Sequence, residues 1–359
     1  MSVPLIYDIP FPDLTSLLTE WGEPSYRARQ IWLGLYRDFW NTPKEFSNLP
    51  SYLRQKLAKS LEFNVLVPTM TLQSSDGETT KTLFQLNDGK AIETVLMKYD
   101  LLPEYPPSQD DTSKQGRRTL CISTQVGCAM GCVFCATGQM GFKRHLSSGE
   151  IVAQVMYYAR LLRTQQEIVT NVVVMGMGEP FHNYRNTMVA IDRLNDPEGY
   201  NFGARRFTIS TVGLVPAIRR FAAEKRQVNL AISLHAADDI LRTSMLPVNN
   251  RYPTNELLDA CHEYISITRR RITFEWALIN GVNDTPEQAH LLSNKLKGLL
   301  CHVNAIPLNP TVGYSGKATT RKRAEEFKNI LMHSGIPCTI RLRRGIDIQA
   351  GCGQLASHV

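Results

Sequence analysis

"CAMGCVFCATGQMGF" (128–142) sets Cys128, Cys132 and Cys135 in a C-x3-C-x2-C array and then runs into small and glycine residues. With eight cysteines in 359 residues, three in one short stretch is a concentration that asks for a reason. A structural zinc site with a remote fourth ligand is one reading, but zinc ribbons pair two C-x2-C knuckles and no second knuckle exists here. A 4Fe-4S cube has four irons, so three thiolates leave one iron open to a substrate or cofactor. The flanking sequence decides between the two.

Upstream and downstream of the array, strand-like and helix-like runs alternate from Thr119 onward. "TLCIST", "TNVVVMG", "RFTIS", "VNLAIS", "RITFEWALI", "HVNAIPL" and "PCTIRL" read as strands. Between them lie helical segments such as "SSGEIVAQVMYYARLLRTQ", whose Ser147-to-Glu150 spacing predicts a capping box. Repeated βα units imply a parallel sheet covered by helices, with too few units for an eight-fold barrel, so the fold expected is α/β with a partial (β/α)6 barrel. Chemistry in such folds sits on loops after the carboxyl ends of strands, and the cysteine array follows the first of them. Before the barrel, "FPDLTSLLTEW", "YRARQIWLGLYRDF" and "LPSYLRQKLAKSL" carry helical periodicity, and "VLVPTMTLQSS", "KTLFQL" and "AIETVLMKY" read as short strands. The polar, proline-rich "DLLPEYPPSQDDTSKQG" reads as a mobile linker. The organisation expected is an N-terminal helical domain (1–62), a small β-extension with linker (63–118), the barrel (119–345) and a C-terminal tail (346–359).

Hydrophobic content of 43% and charged content of 20% are those of an ordinary globular protein. The first thirty residues carry acids and prolines where a signal peptide needs an apolar run, and no stretch reaches the ~20 apolar residues of a membrane span, so a cytoplasmic chain without a membrane partner is expected. In that reducing compartment the cysteines are not a disulfide framework. Lys and Arg number 40 against 33 Asp and Glu, a net charge of +7. The excess gathers in "RRTL" at 117, "FKRH" at 142, "ARRF" at 204, "TRRRI" at 268, "TRKRAEEFK" at 320 and "RLRRG" at 341. Each run alone reads as a solvated face. Their spread over many segments favours a broad phosphate-contacting surface.

At the cysteine array the sequence resembles the radical S-adenosylmethionine (SAM) enzymes. "NVVVMGMGEP" (171–180), "ISTVG" (209–213), "AISLHA" (231–236), "LPVNNRYP" (246–253), "LINGVNDT" (278–285), "IPLNP" (306–310) and "GIDIQAGCGQL" (345–355) narrow the likeness to the RlmN/Cfr family, which methylates adenine in ribosomal RNA. It extends over nearly the whole chain, "WGEPSYRARQIW" included. The resemblance implies a 4Fe-4S cluster held by Cys128, Cys132 and Cys135, whose open iron binds SAM as methyl donor and radical source. It places Gly178, Glu179, Ser210, Ser233, Leu234, His235 and Asn309 around SAM, all at the ends of predicted strands.

For catalysis, the resemblance makes Cys352 the residue that becomes S-methylcysteine, Cys121 the thiol that resolves the protein–RNA thioether through a transient disulfide, and Glu93 the proton acceptor. Read without it, Cys121 is a small strand residue, Glu93 an outward-facing carboxylate and Cys352 an inert near-terminal thiol. The chemistry favours the family roles: adenine C2 is too weakly nucleophilic to take a methyl group directly from a sulfonium, so a carbon radical derived from an S-methyl group is needed. Cys261, Cys301 and Cys338 match no motif and read as packing residues. Pro180 resembles the housekeeping branch that methylates C2, whereas the antibiotic-resistance branch modifying C8 typically carries alanine there. The partners implied are large-subunit (23S) ribosomal RNA, in some members tRNA at the adenine after the anticodon, and an electron donor of flavodoxin or ferredoxin type; a monomer is expected. Two departures from the pattern stand out: a long 100–116 linker, which bears on how Glu93 is placed, and "AG" rather than "AA" before Cys352, which predicts a looser loop. The reading from another class is a zinc-stabilised RNA-binding protein without catalysis.

Overall fold

The computed structural model describes residues 3–100 and 116–356. The linker expectation for 100–116 falls almost wholly outside them. Three N-terminal helices, α1 (Phe11–Glu20), α2 (Tyr26–Tyr36) and α3 (Ser51–Ser60), precede three strands, β1 (Val67–Gln73), β2 (Thr79–Gln85) and β3 (Ala91–Tyr99). The barrel then opens with β4 (Arg117–Cys121), a short pair β5 (Gln125–Val126) and β6 (Arg144–His145) around the one-turn α4 (Ala136–Gln139), and α5 (Ser148–Thr164). Strands β7 (Asn171–Val174), β8 (Phe207–Thr211), β9 (Asn229–Ser233), β10 (Ile272–Leu278), β11 (Cys301–Pro307) and β12 (Cys338–Ile340) follow. Helices α6 (Tyr184–Asn195), α7 (Val215–Ala223), α8 (Asp239–Met245), α9 (Thr254–Thr268), α10 (Pro286–Leu296) and α11 (Arg321–His333) separate them.

Ten strands form one sheet in the order β1-β2-β3-β4-β7-β8-β9-β10-β11-β12. From β4 to β12 every pairing is parallel, while β1 to β4 pair antiparallel. The partial barrel is therefore as expected, with a three-residue seventh parallel strand added at its far edge. The β-extension is not a separate unit: it lengthens the barrel sheet through β3, with Val95 opposite Cys121.

The helical N-terminus shares one continuous core with the barrel, running from Ile6 to Leu355. Its docking is specific. The Asp8 carboxylate accepts from Ser148 Oγ (2.9 Å) and the Gly149 amide (2.6 Å), satisfying orphan donors at the start of α5. The predicted capping box of Ser147 and Glu150 is formed at the same end. In α2, Ala28, Ile31 and Trp32 are buried while Arg29 is exposed beside Glu198, so "RARQIW" is first of all a packing helix.

The two faces of the barrel strands differ in chemistry. Phe207, Ile209, Leu230, Ile232, Phe274, Trp276, Val303 and Ala305 are essentially fully buried and alternate with Thr208, Ser210, Ser233, Glu275 and Asn304. Parallel register aligns Ser233 with Glu275 across β9 and β10, and Glu275 with Asn304 across β10 and β11. Period-2 alternation thus gives an apolar outer face for the helices and a polar inner one. A closed eight-stranded barrel fills its interior with branched apolar side chains. Here the inner face is polar and the barrel holds cavities instead.

Candidate active site

The loops that leave the carboxyl ends of the strands enclose a cavity with about 950 Å³ of empty space open to solvent. Cys128, Cys132 and Cys135 line it together with Gly178, Glu179, Ser210, Ser233, His235, Glu275, Asn309 and Cys352. The cysteine loop is tied down on several sides: the Cys128 amide donates to the Gly141 carbonyl (3.2 Å), the Val133 amide to Met245 of α8 (3.1 Å), and the Ala136 amide to Gly353 of the tail (2.7 Å). Burial pushes the Cys128 thiol up to about 12 and raises Cys132 and Cys135 as well. A desolvated thiol stays neutral until a cation is provided.

The "GMGEP" stretch is built by close approach. Gly178 has φ +102°, and a Cβ there would lie 2.5 Å from Gln125 Cβ and 2.8 Å from the Gln125 amide nitrogen, so only glycine fits. Its neighbour Glu179 is buried, donates its own amide to Gln125 Oε1 (2.8 Å), and accepts from the Phe181 and Val212 amides (both 2.9 Å). Burial nonetheless raises its carboxyl to about 7. With Thr211 also hydrogen-bonded to it, the carboxylate still keeps lone-pair capacity for a cationic ligand. His235 has φ +59°, which turns its ring so that Nδ1 accepts from the Ala277 amide (2.9 Å). An amide can only donate, so the ring proton sits on Nε2, and burial holds the imidazole neutral, its pKa lowered to about 3. Ser210 and Ser233 share a hydroxyl contact at 3.2 Å.

A second cavity adjoins the first. Cys121, Met97, Tyr99, Met175, Arg341 and Arg344 line it, and it shares Met175, Ile306, Asn309 and Cys352 with the cluster cavity. Cys352 therefore sits where the two meet. Its side chain keeps access to water, but the surrounding walls desolvate it and raise its thiol. Desolvation, reinforced by the charge of Cys352, raises the Cys121 thiol far above its usual range. All eight cysteines are free thiols, so no disulfide links this pair in the structure. Asn309 Nδ2 donates to the Cys352 carbonyl (3.1 Å), while the buried Asn309 Oδ1 has no partner.

Residues 122–292 match the family model of the radical SAM superfamily. Over 354 residues the chain is 48% identical to the "Dual-specificity RNA methyltransferase RlmN 1" of Myxococcus xanthus, an alignment covering 99% of this chain and 94% of that one. The chain belongs to the RlmN/Cfr family of radical SAM RNA methyltransferases. It is also 42% identical to the "Ribosomal RNA large subunit methyltransferase N" of Nitrosopumilus maritimus, with 97% of each chain covered. The crystal structure of a radical SAM methyltransferase from Sphaerobacter thermophilus superposes with a TM-score of 0.92 at 48% identity, over 99% of this chain and all of that one.

RlmN/Cfr membership implies a 4Fe-4S cluster and SAM, and the residues fit both. Three half-buried, desolvated thiols on one loop suit a cluster whose positive charge converts them to thiolates. The unpartnered Asn309 Oδ1, the spare lone pairs of Glu179 and the open space beside them suit a ligand bearing an amine and a nucleoside. The reading as a zinc-stabilised protein without catalysis gives way to the near-full-length likeness to RNA methyltransferases.

Of the residues expected to surround SAM, all reach the cavity except Leu234, whose side chain packs in the core and whose carbonyl accepts from Arg242 Nε (3.1 Å). Glu93 lies on the inner face of β3 but lines a neighbouring pocket, where Lys81 Nζ stands 3.0 Å from one carboxylate oxygen and the Ala356 amide donates to the other at 2.9 Å. The "AG" before Cys352 does not loosen the loop. Gly351 is buried, and a Cβ on it would meet Asn309 Nδ2 at 2.6 Å, so glycine here lets Asn309 close on the tail. Cys261, Cys301 and Cys338 are core residues, as expected.

Two site residues escaped the sequence reading. Glu275 is buried in the cluster cavity, accepts from Asn304 Nδ2 (2.8 Å), and is raised to about 7 by desolvation. A carboxylate at an inward position of the apolar run "ITFEWAL" was the available signal. Arg242 is fully buried and donates to the Leu234, Val212 and Ser233 carbonyls and to Asn249 Oδ1. Nothing in the sequence distinguishes it from the surface arginines.

Proposed function

We propose that this chain methylates carbon C2 of an adenine in large-subunit ribosomal RNA, takes tRNA as a second substrate at the adenine after the anticodon, and works through an S-methylcysteine at Cys352 with two SAM molecules. Cys128, Cys132 and Cys135 hold the 4Fe-4S cluster, and Gly178, Glu179, Ser210, Ser233, His235 and Asn309 bind SAM. When bound, these cofactors supply a 5′-deoxyadenosyl radical that abstracts hydrogen from the methyl group on Cys352. Leu234 contributes through its main chain alone.

The observation that carries this reading is that Cys352 borders both cavities. A methyl carrier must face the cofactor to be charged and the base to discharge. Cys121 lines only the second cavity, where a resolving thiol is needed: its attack on the Cys352 sulfur forms a disulfide and releases the methylated base. Glu93 takes the ring proton. Its hydrogen bond from Ala356 ties it to the tail that carries Cys352, so movement of that tail frees one carboxylate oxygen while the other stays beside Lys81. The dual-specificity names of relatives such as that of Myxococcus xanthus support the two RNA classes. In the test, anaerobically reconstituted enzyme acts on a ribosomal RNA fragment and on tRNA, and digested nucleosides are resolved by mass spectrometry. The expected product is 2-methyladenosine from both, and 8-methyladenosine would move the chain to the resistance branch.

A further inference from the structure

The basic runs at 204 and 268 border neither cavity, yet the fold brings them together. Arg205 lies in the turn before β8, and Arg269, Arg270 and Arg271 lead into β10. The three consecutive arginines line a pocket with about 840 Å³ of empty space open to solvent, together with Thr208, Asn229 and Thr273, at the amino ends of β8, β9 and β10. Arg270 is fixed by neutral acceptors, Gln227 Oε1 at 3.1 Å and Asn229 Oδ1 at 2.7 Å, and its buried Nε has no partner. Arg205 also donates to Gln227. Several other surface arginines meet acids: Arg219 pairs with Glu263, Arg220 with Glu224, and Arg226 with Asp192 and Glu224. Among the described residues none of Arg205, Arg269, Arg270 or Arg271 is within ion-pair distance of a carboxylate.

Backbone conformation points the same way. Arg269 caps α9 with φ +57°, a position that glycine or asparagine fills without the roughly 1–2 kcal/mol that a larger side chain costs. Every residue lining the pocket is polar and none is aromatic, and its three guanidinium groups offer the chemistry of phosphate recognition. Its position suits a long polyanion. Tyr99, at the rim of the Cys121 cavity, is stacked by Arg117, the first residue of β4, and by Arg344, at 4.2 and 4.4 Å. Counting ~4.8 Å per strand from β3, the arginine pocket spans roughly 14–24 Å along the sheet, within reach of phosphates a few nucleotides from a base held in the cavity.

We propose that this pocket is a second RNA contact, gripping the phosphodiester backbone beside the target nucleotide without reading sequence. The proposal rests on RNA being the substrate. Its test compares reconstituted parent enzyme with the Arg269→Ala/Arg271→Ala double variant in RNA binding between 50 and 200 mM salt. Each lost phosphate contact lowers the slope of log affinity against log salt by about one, so the double variant should lose roughly one to two units of slope and bind on the order of tenfold more weakly at low salt. The Arg269→Lys/Arg271→Lys variant should restore most of the slope, and RNA-independent deoxyadenosine production should be unchanged throughout. An unchanged slope in the alanine variant, with the parent binding RNA in a salt-dependent way, overturns the proposal. The same unchanged slope together with stabilisation of the parent alone by inorganic phosphate would assign the pocket to a small anion and overturn it equally. A parent that does not bind RNA would instead sink the RNA reading itself.

Discussion

Replacing Arg242 by methionine tests how the cofactor pocket is held, because this side chain touches no cavity yet fastens three of the segments that form it. Its guanidinium donates to Val212 at the end of β8 (2.6 Å), to Ser233 and Leu234 at the end of β9 (3.3 and 3.1 Å), and to Asn249 Oδ1 (2.8 Å). The helix that bears it, α8, also accepts the Val133 amide of the cysteine loop through Met245. Burial lowers the guanidinium to about 10, so it remains charged at neutral pH. Three buried acceptors lose their donor, the Leu234 carbonyl keeping the Ala236 amide at 2.8 Å, at a cost of about 1–3 kcal/mol each. Removal of a desolvated charge returns several kcal/mol, leaving a net loss of about 3–5 kcal/mol. Urea unfolding of the unliganded protein, followed by tryptophan fluorescence, measures that loss. SAM affinity should fall with it, since Ser233 and His235 lose their anchor. Arg242→Lys, with one nitrogen in place of a fork, should recover only part of both. A loss below about 1 kcal/mol in Arg242→Met would show that the strand ends hold themselves without Arg242.

Alanine at Cys128, Cys132 or Cys135 should abolish iron binding and deoxyadenosine formation together, whereas Cys261→Ala should keep its iron; retained deoxyadenosine in any of the three would refute the ligand assignment. Cys352→Ala should lose methylation and the S-methyl mass. Cys121→Ala should accumulate a covalent adduct through Cys352, detected after nuclease digestion as one nucleotide on the "AGCGQL" peptide; normal turnover would remove Cys121 from the mechanism. Glu275 is raised from 4.5 to about 7 in the folded protein, so its contribution favours the native state below pH 4.5 and is lost as pH rises to 7. The unliganded parent should therefore lose up to about 3 kcal/mol over that window relative to Glu275→Gln, at ~1.4 kcal/mol per pH unit. A pH-independent difference between the two proteins would contradict this.

The local patterns were legible because each rests on short-range physics. The C-x3-C-x2-C loop, the Ser147–Glu150 capping box and the period-2 strands depend on neighbours a few residues apart, and all stand where the sequence placed them. Gly178 was legible as a residue at a strand end, but why it must be glycine was not, because the obstructing Gln125 lies over fifty residues away. Leu234 could be placed at a strand end, yet which way its side chain turned was settled by packing against the core. The roles of Arg242 and Glu275, the separate pocket of Glu93, and the meeting of two cavities at Cys352 are long-range facts. They depend on strand register and on the path of the tail across Asn309. The sequence by itself determined the elements, the cluster loop and the family, since these follow from local periodicity and motif spacing. Only the tertiary structure decided which polar side chains share a cavity and which buried charge holds it open, because desolvation and hydrogen-bond geometry arise from residues that the sheet, and not the chain, makes neighbours.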